Sequence, residues 1–350
     1  MLEIKKINNK KIYSNNNNYR LDKFIQQTLY KKNGYYIKEK PIGKRFDFIT
    51  SPEISQTFGE IIGAYLIYHW NEKINSKFNL IELGPGNGTL FKDIARSAQI
   101  VPSFLEKANI TFVEINKQLR EIQKKNLNTF KLSKIKWSKS LNFKSNLPSV
   151  IYSNEFFDCF PVRQFVMDND IWFEKYVNFN NKEKKHIFVN KKVINKKLID
   201  CLKIYKKQKI YEVSFSRNKY FEEICTYIKK NRGICILVDY GYYKNIKNFT
   251  LQSVFNHKIS HIFENIGKQD ISSHVNFSEL IKIAKEKKLS INEYNTQRNF
   301  LIKYGILERI KKLNLNDSDL NKDLLKSEVN RLIDIDGMGK LFKCLVVSNL

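Results

Sequence analysis

The chain has 350 residues, 42% hydrophobic and 28% charged, which is enough apolar material to close a core and excludes an intrinsically disordered chain. Lys and Arg number 62 against 35 Asp and Glu, giving a formal net charge of +27. Such a field attracts nucleic acid, anionic lipid or acidic proteins, but the lysines are spread through nearly every segment, so we do not expect a nucleic-acid partner.

Cysteine usage and the N-terminal composition indicate the compartment. The five cysteines form no CxxC pair, so they predict neither a metal site nor a redox couple, and we expect reduced thiols. The segment from Met1 to Asn18 lacks the apolar stretch of a secretory signal, and the longest apolar run, residues 61–67, is too short to span a bilayer. We therefore expect a soluble intracellular protein, cytoplasmic in a bacterium and in the mitochondrial matrix of a eukaryote.

The N-terminal part of the chain reads as two helices joined by a turn. Residues 1–19 are polar and predict a flexible N-terminus. A first helix is indicated by apolar residues at helical spacing, and a second is predicted from Ser55 to about Trp70. Between them, residues 46–53 form a turn-like segment that ends in SPE, a typical helix start. The apolar positions of the first helix are Leu21, Phe24, Ile25, Thr28 and Leu29.

Strands and helices alternate through the middle of the chain. Strands are predicted at residues 78–83, 110–113, 135–137, 150–153 and 234–239, with helices at 89–98 and 116–126. This alternation favours a parallel, doubly wound sheet with right-handed crossovers. Between residues 162 and 208 the helical period disappears, and the alternating stretches 171–177 and 186–189 predict an antiparallel β insertion.

The last third of the chain returns to the same pattern. A loop-rich region to residue 276 precedes a helix at 277–287, a strand at 289–294, helical material from 297 to 333 and a last strand at 341–347, predicted as an antiparallel edge strand. The expected division is a flexible N-terminus (1–19), a helical lid segment (20–76), the first part of the core (77–161), a β-rich insertion (162–218) and the second part of the core (219–350).

The strongest motif is a glycine-rich turn, ELGPGNG at residues 82–88, placed directly after a predicted strand and before a helix. Glycine allows a sharp turn and removes side chains that would block a ligand. A dinucleotide fingerprint needs a third glycine where Thr89 stands, so the G-x-G-x-G spacing after an acidic residue favours S-adenosylmethionine instead. A packing turn without a ligand is the alternative reading.

Two acidic residues belong to this candidate cofactor site. Glu114 ends the next strand, where a carboxylate can accept hydrogen bonds from both ribose hydroxyls, although a solvated strand end would also explain it. Glu82 could bond the amides of the turn or the cofactor's ammonium, and the sequence favours neither reading. The candidate cofactor-binding residues are Glu82, Gly84, Pro85, Gly86, Gly88, Glu114 and Asn154.

A second polar group follows the strand at 150–153. Asn154, Glu155 and Asp158 come at the carboxyl end of that strand, which in an open α/β sheet faces the ligand crevice, and they could orient a nitrogen nucleophile and ease its deprotonation. A helix cap with solvated acids is the alternative. His274, on a loop leading into a helix, completes the candidate catalytic residues, although a lone histidine is more often structural. The DYG segment 239–241 could also reach the crevice, or could simply end a strand.

Taken together, these motifs resemble the MidA family of class I methyltransferases, known in mitochondria as the complex I assembly factor 7 family. The resemblance runs from about Arg20 to the C-terminus. The matching stretches are residues 47–56 with 58–60, 82–90, 154–158 with 161–163, 239–241, 270–277, and 338–339 with 341–343.

The resemblance implies an α/β fold, the Rossmann-like seven-stranded class I methyltransferase fold, with an N-terminal helical segment and an inserted β/α region on the substrate side. It implies S-adenosyl-L-methionine as cofactor and methylation of a protein arginine, with a respiratory complex I subunit as the substrate. Glu155 and Asp158 would then contact the guanidinium. It also assigns Asp47, Ser51, Pro52 and Glu53 to a lid or substrate-side element.

Two other functions remain open at this stage. One is a non-catalytic chaperone that keeps the fold and cofactor but acts by holding a partner subunit. The other is RNA methylation, which would use the excess positive charge.

Overall fold

The computed structural model describes residues 18–38, 49–128, 130, 135–141, 144–314 and 319–350. The predicted flexible N-terminus, up to residue 17, and the candidate residue Asp47 lie outside these ranges. The strands are β1 (Tyr19–Arg20), β2 (Phe78–Leu83), β3 (Ala108–Val113), β4 (Ile135–Ser138), β5 (Ser149–Asn154), β6 (Arg163–Asp168), β7 (Ile171–Asn180), β8 (Lys185–Lys192), β9 (Ile210–Val213), β10 (Gly233–Tyr242), β11 (Gln252–Phe255), β12 (Lys258–Ser260), β13 (Asp270–Ser272), β14 (Val275–Asn276), β15 (Ser290–Thr296) and β16 (Phe342–Asn349).

Helices surround these strands. They are α1 (Leu21–Tyr30), α2 (Tyr35–Lys38), α3 (Ser51–Ile54), α4 (Gln56–Lys73), α5 (Thr89–Ser97), α6 (Ser103–Glu106), α7 (Lys117–Leu127), α8 (Lys196–Leu202), α9 (Phe215–Asn231), α10 (Phe277–Glu286), α11 (Gln297–Lys303), α12 (Ile306–Asn314), α13 (Asp319–Ile333) and α14 (Met338–Leu341), with short 3-10 helices at Ala98–Ile100 and Lys203–Gln208. No helix in the described part of the chain is both long enough and apolar enough to cross a membrane.

The central sheet has seven strands in the order β15-β16-β10-β5-β2-β3-β4, with the two-residue strand β14 beside β10. The strands β4, β3, β2, β5 and β10 run parallel, and β16 is antiparallel to both of its neighbours. Every residue of β2 is buried, as expected for a parallel strand covered by helices on both faces. The predicted Rossmann-like seven-stranded α/β fold is therefore confirmed.

Alternate residues of the sheet pack into two separate apolar cores. Leu80 and Val150 face one core, which is shared with α4, α5 and α11. Ile81 and Ile151 face the other, which is shared with α9 and α10. This alternation follows from the two-residue period of a strand, and burying both faces holds the carboxyl ends of the parallel strands at one edge.

Most predicted elements of the core are confirmed, and β2 has the predicted bounds. The last strand is antiparallel as predicted, but its edge position was wrong, because β15 pairs with it from the far side. Strand order depends on pairing between distant segments, which a local pattern does not encode.

The predicted β insertion forms a second sheet in the order β1-β7-β6-β9, with β8 paired to β7. The same part of the chain also contains α8, which was not predicted because its lysine-rich segment shows little apolar periodicity. The loop-rich region before residue 276 contains a third, three-stranded sheet, β12-β11-β13. The five-part division of the chain stays a prediction.

Candidate active site

The glycine-rich turn connects β2 to α5. Gly84, Gly86 and Gly88 have φ values of 65°, 57° and 80°, a left-handed conformation that side chains disfavour. At Gly84 there is also no room for a side chain, since a Cβ there would lie 2.8 Å from Cδ2 of Phe156. The turn therefore requires glycine both for its backbone conformation and for its packing.

Two adjoining cavities border on this turn. The larger has a volume of about 410 Å³, within the range of about 300–1,000 Å³ typical of small-molecule sites. The smaller has a volume of about 40 Å³. Both are lined by Gly84, Gly86 and Glu155, so Glu155 stands where the two cavities meet.

Glu114 lines the larger cavity at the end of β3. Its Oε1 accepts a hydrogen bond from the backbone N–H of Asn116 at 2.8 Å, which aims the carboxylate away from bulk water. Burial raises the pKa of Glu114 to about 7, and the bond from Asn116 opposes that rise. The predicted ribose-binding carboxylate is therefore buried, oriented and beside the turn.

Gln123 on α7 connects this carboxylate to the turn. Its Nε2 donates to the carbonyl oxygen of Gly86 at 2.7 Å and, at 3.5 Å, to Oε2 of Glu114. Its Oε1 accepts from the indole N–H of Trp137 at 2.8 Å. The side chain is fully buried. Gln123 was not predicted, although its three bonds fix the distance between the Gly turn and Glu114.

Glu82 is buried at the end of β2 and lines the smaller cavity. The hydroxyl of Tyr152 donates to its Oε2 at 3.1 Å. Burial raises the pKa of Glu82 to about 8, a rise that this hydrogen bond opposes. Burial thus favours the neutral form of this carboxyl group, and a cation in the cavity would favour the ionised form.

Helix α3 lies against the same turn. Oε1 of Glu53 accepts hydrogen bonds from the hydroxyl of Thr89 at 2.5 Å and from Nδ2 of Asn87 at 3.3 Å. Ser51 is buried and donates its backbone N–H to Oε1 of Glu155 at 3.3 Å. Pro52 is buried and lines the smaller cavity. Of the predicted substrate-side element, Ser51 therefore contacts the candidate catalytic loop and Glu53 contacts the cofactor turn.

Glu155 adopts a left-handed backbone conformation, with φ at 50°, directly after β5. Such strain in a non-glycine residue is often found at functional sites. Its backbone N–H donates to the carbonyl of Val238 at 2.9 Å, and its Oε1 accepts from Nδ2 of Asn154 at 2.9 Å. Burial, then the charge of Asp158, raise the pKa of Glu155 to about 8.

Asp158 and His274 are displaced from these cavities, and neither lines them. Asp158 accepts a hydrogen bond from the hydroxyl of Tyr240, and the ring of His274 packs edge-on against Tyr240 with centroids 5.5 Å apart. Burial raises the pKa of Asp158, and burial together with Lys343 lowers the pKa of His274. Tyr240 thus connects Asp158 to His274, and the catalytic roles of both residues stay predictions.

Asp239 organises the loop that carries Glu155. Its Oδ2 accepts the backbone N–H groups of Phe156, Phe157 and Asp158 at 3.2, 2.8 and 3.3 Å. Burial and then the charge of Asp158 raise its pKa well above the ordinary range. The DYG segment, on the neighbouring strand β10, thus contributes Asp239, which fixes the backbone of the candidate catalytic loop.

These residues fit S-adenosylmethionine. Gly84 and Gly86 of the turn line both cavities, and Glu114 offers acceptor oxygens to a ribose. Oδ1 of Asn154 is buried and, among the described residues, has no hydrogen-bond partner, so it can accept a hydrogen bond from a bound ligand.

The larger cavity is also lined by Ile115, Lys139 and Ser140, which were not predicted from the sequence. Their positions just after the ends of β3 and β4 could have indicated them, because ligands bind at the carboxyl ends of such strands.

The comparisons with known proteins agree with this site. Residues 61–295 match the family described as "Putative S-adenosyl-L-methionine-dependent methyltransferase". "Protein arginine methyltransferase NDUFAF7, mitochondrial" from Danio rerio is 30% identical, covering 90% of this chain and 80% of that protein. The Homo sapiens protein of the same name is 29% identical, covering 88% and 75%.

A solved structure shows the same fold. It is a Burkholderia thailandensis protein bound to S-adenosyl-homocysteine, 21% identical, with a TM-score of 0.84 over 95% of this chain and 88% of that one. The fold, the glycine-rich turn and the family match define this protein as an S-adenosylmethionine-dependent methyltransferase. Within that class, the chain belongs to the MidA family, as its motifs predicted.

Proposed function

We propose that this protein transfers a methyl group from S-adenosylmethionine to a guanidinium nitrogen of an arginine in a protein substrate. The printed names of the relatives support the protein arginine substrate. The observation that carries the proposal is the position of Glu155, a half-buried carboxylate that lines both the smaller and the larger cavity.

Glu155 has the features that a guanidinium partner requires. Its described hydrogen bonds from Ser51 and Asn154 both use Oε1, so Oε2 is available to a substrate N–H. Burial raises its pKa to about 8, so its ionised form is a stronger proton acceptor than an ordinary carboxylate. A carboxylate and a guanidinium stabilise each other strongly in a site shielded from water.

The larger cavity also suits a planar cation. Tyr30, Tyr36 and Phe156 line it, and the first two rings stack with centroids 5.6 Å apart. Aromatic faces attract guanidinium groups, which stack on them more readily than ammonium groups do. These walls would hold the arginine side chain flat while Glu155 contacts its edge.

S-adenosylmethionine supplies the methyl group on its sulfonium. A new N–C bond forms at the arginine nitrogen while the S–C bond breaks, and the nitrogen then loses one proton. Glu155 is the acceptor for that proton, because its Oε2 faces the nitrogen in the proposed arrangement. Positioning of the two reactants supplies much of the rate, so no covalent enzyme intermediate is needed.

For the substrate and its location, we propose a respiratory complex I subunit. The MidA resemblance supports this, and so does the word "mitochondrial" in the names of the relatives, which agrees with the mitochondrial matrix of a eukaryotic cell. In a bacterial cell the corresponding place is the cytoplasm.

The test compares Glu155→Gln with Glu121→Gln, which removes the same charge from an exposed pair on α7. Glu155→Gln should still bind S-adenosylhomocysteine, yet at saturating cofactor methylate arginine about 100-fold more slowly or worse, as expected for loss of a general base. Glu121→Gln should match the wild type in both measurements. Equal methylation by all three proteins would refute the role of Glu155.

The substrate itself is tested in cells. Mass spectrometry of complex I subunits, with and without the gene, should show a methyl-arginine that disappears with the gene and does not return with Glu155→Gln. If Glu155→Gln restored complex I assembly without methylation, the holding of a partner subunit would be the function instead.

A further inference from the structure

The smaller cavity at the glycine-rich turn is lined by several side chains that accept hydrogen bonds. Its volume of about 40 Å³ is close to the share of one water molecule, about 30 Å³. Three carboxylates line it, those of Glu53, Glu82 and Glu155, together with the side chain of Asn154. A compact cation with several N–H donors matches such a set of acceptors.

Glu53 reaches this cavity from a part of the chain that precedes the core. It is held by Thr89, the first residue of α5, and by Asn87 of the turn. Both bonds use Oε1, and among the described residues Oε2 accepts no hydrogen bond. Because Thr89 and Asn87 fix the side chain, its second oxygen is oriented without help from a ligand.

A second acceptor lines the same cavity. Oδ1 of Asn154 is buried without a partner in the described part of the chain, whereas its Nδ2 donates to Glu155. Leaving a buried acceptor unpaired is costly. A donor from the bound ligand would remove that cost.

We propose that Glu53 binds the α-ammonium group of the amino-acid part of S-adenosylmethionine, with Oδ1 of Asn154 as the second acceptor. The N-terminal segment thus contributes directly to the cofactor site. Glu53 therefore serves the cofactor rather than the substrate side that the sequence indicated. This inference rests on the cofactor and is independent of the arginine substrate.

Two ligands that differ only in the amino-acid part separate the possible roles of Glu53. S-adenosylhomocysteine carries the ammonium, and 5′-methylthioadenosine lacks the whole amino-acid part. Isothermal titration should show that Glu53→Gln binds S-adenosylhomocysteine about 10- to 100-fold more weakly, the loss expected for one hydrogen bond to a charged group. Binding of methylthioadenosine should change less than about twofold, which also shows that the variant is folded.

Two controls complete the design. Glu72→Gln removes the same charge from the exposed end of α4 and should leave both affinities unchanged. Thr89→Val removes the bond that orients Glu53 but keeps its charge, so its effect on S-adenosylhomocysteine should be smaller than that of Glu53→Gln. Equal weakening of both ligands by Glu53→Gln would overturn the proposal, because Glu53 would then only support the turn.

A ligand-side deletion tests the contact with the wild-type protein. S-adenosylhomocysteine with its amino group replaced by hydrogen should bind the wild type about 10- to 100-fold more weakly than the parent ligand. In Glu53→Gln the affinities for the two ligands should differ by a smaller factor, because the contact is already lost. If removal of the amino group weakens binding by the same factor in both proteins, Glu53 does not contact the ammonium. Wild-type protein that binds neither adenosyl ligand would overturn both this proposal and the cofactor site.

Discussion

Replacement of Gly84 by alanine tests the turn most sharply, since Gly88 offers a matched control. Both glycines are left-handed, so alanine at either position costs about 1–2 kcal/mol of backbone strain. Only at Gly84 does the new Cβ also clash, at 2.8 Å from Phe156, whereas at Gly88 its nearest neighbour is Cγ of Gln123 at an ordinary 3.6 Å. An overpacked contact adds about 1–3 kcal/mol.

Gly84→Ala should therefore lower the free energy of unfolding by about 2–5 kcal/mol, and Gly88→Ala by only about 1–2 kcal/mol. Urea unfolding measures both values. Because Phe156 lines the larger cavity, its displacement by Gly84→Ala should also weaken S-adenosylhomocysteine binding. In the double variant with Phe156→Leu, the part of the lost stability that comes from the clash should return, and the part that comes from backbone strain should remain. The reasoning fails if Gly84→Ala is no more destabilising than Gly88→Ala, or if Phe156→Leu recovers nothing.

Three further predictions concern groups around the turn. Burial raises the pKa of Glu114 from an ordinary value of 4.5 to about 7, so between these pH values the folded state holds a proton that the unfolded state has lost. The free energy of unfolding should therefore fall as pH rises from 4.5 to about 7. At about 1.4 kcal/mol per pKa unit, the raised pKa of Glu114 accounts for about 3 kcal/mol of this fall. Glu114→Gln should remove that part of the pH dependence when urea unfolding is measured between pH 5 and 8. Gln123→Leu leaves the Gly86 carbonyl and the Trp137 indole unpaired, and should weaken S-adenosylhomocysteine binding about 10-fold or more by titration. Asp239→Ala removes the acceptor of three backbone N–H groups, so the methylation rate should fall more than cofactor binding, and Asp239→Asn, which keeps one acceptor oxygen, should lose less.

The sequence predicted the part of the site that is local in the chain. A buried strand, a glycine-rich turn and a helix follow each other within residues 78–97, and short-range rules govern all three. Glu114 was found for the same reason, because it directly follows the next strand. The ends of neighbouring parallel strands necessarily meet at one edge of the sheet.

Short-range rules could not predict contacts between residues that lie far apart in the chain. Gln123 occupies an ordinary position in an amphipathic helix, and only the packing of α7 on the turn gives it its three partners. Glu53 looks like a helix-start residue, yet its partner Thr89 lies 36 residues away. Asp158 was expected beside Glu155, but its hydrogen bond from the hydroxyl of Tyr240, on β10, joins segments 82 residues apart and could not be predicted from the local pattern.

A crystal structure with S-adenosylhomocysteine tests the central claim most directly. The account predicts the ribose hydroxyls within hydrogen-bond distance of the Glu114 carboxylate, the chain of the ligand over Gly84 and Gly86, and the amino group in the smaller cavity. A ligand bound elsewhere, or a ribose that makes no contact with Glu114, would contradict it.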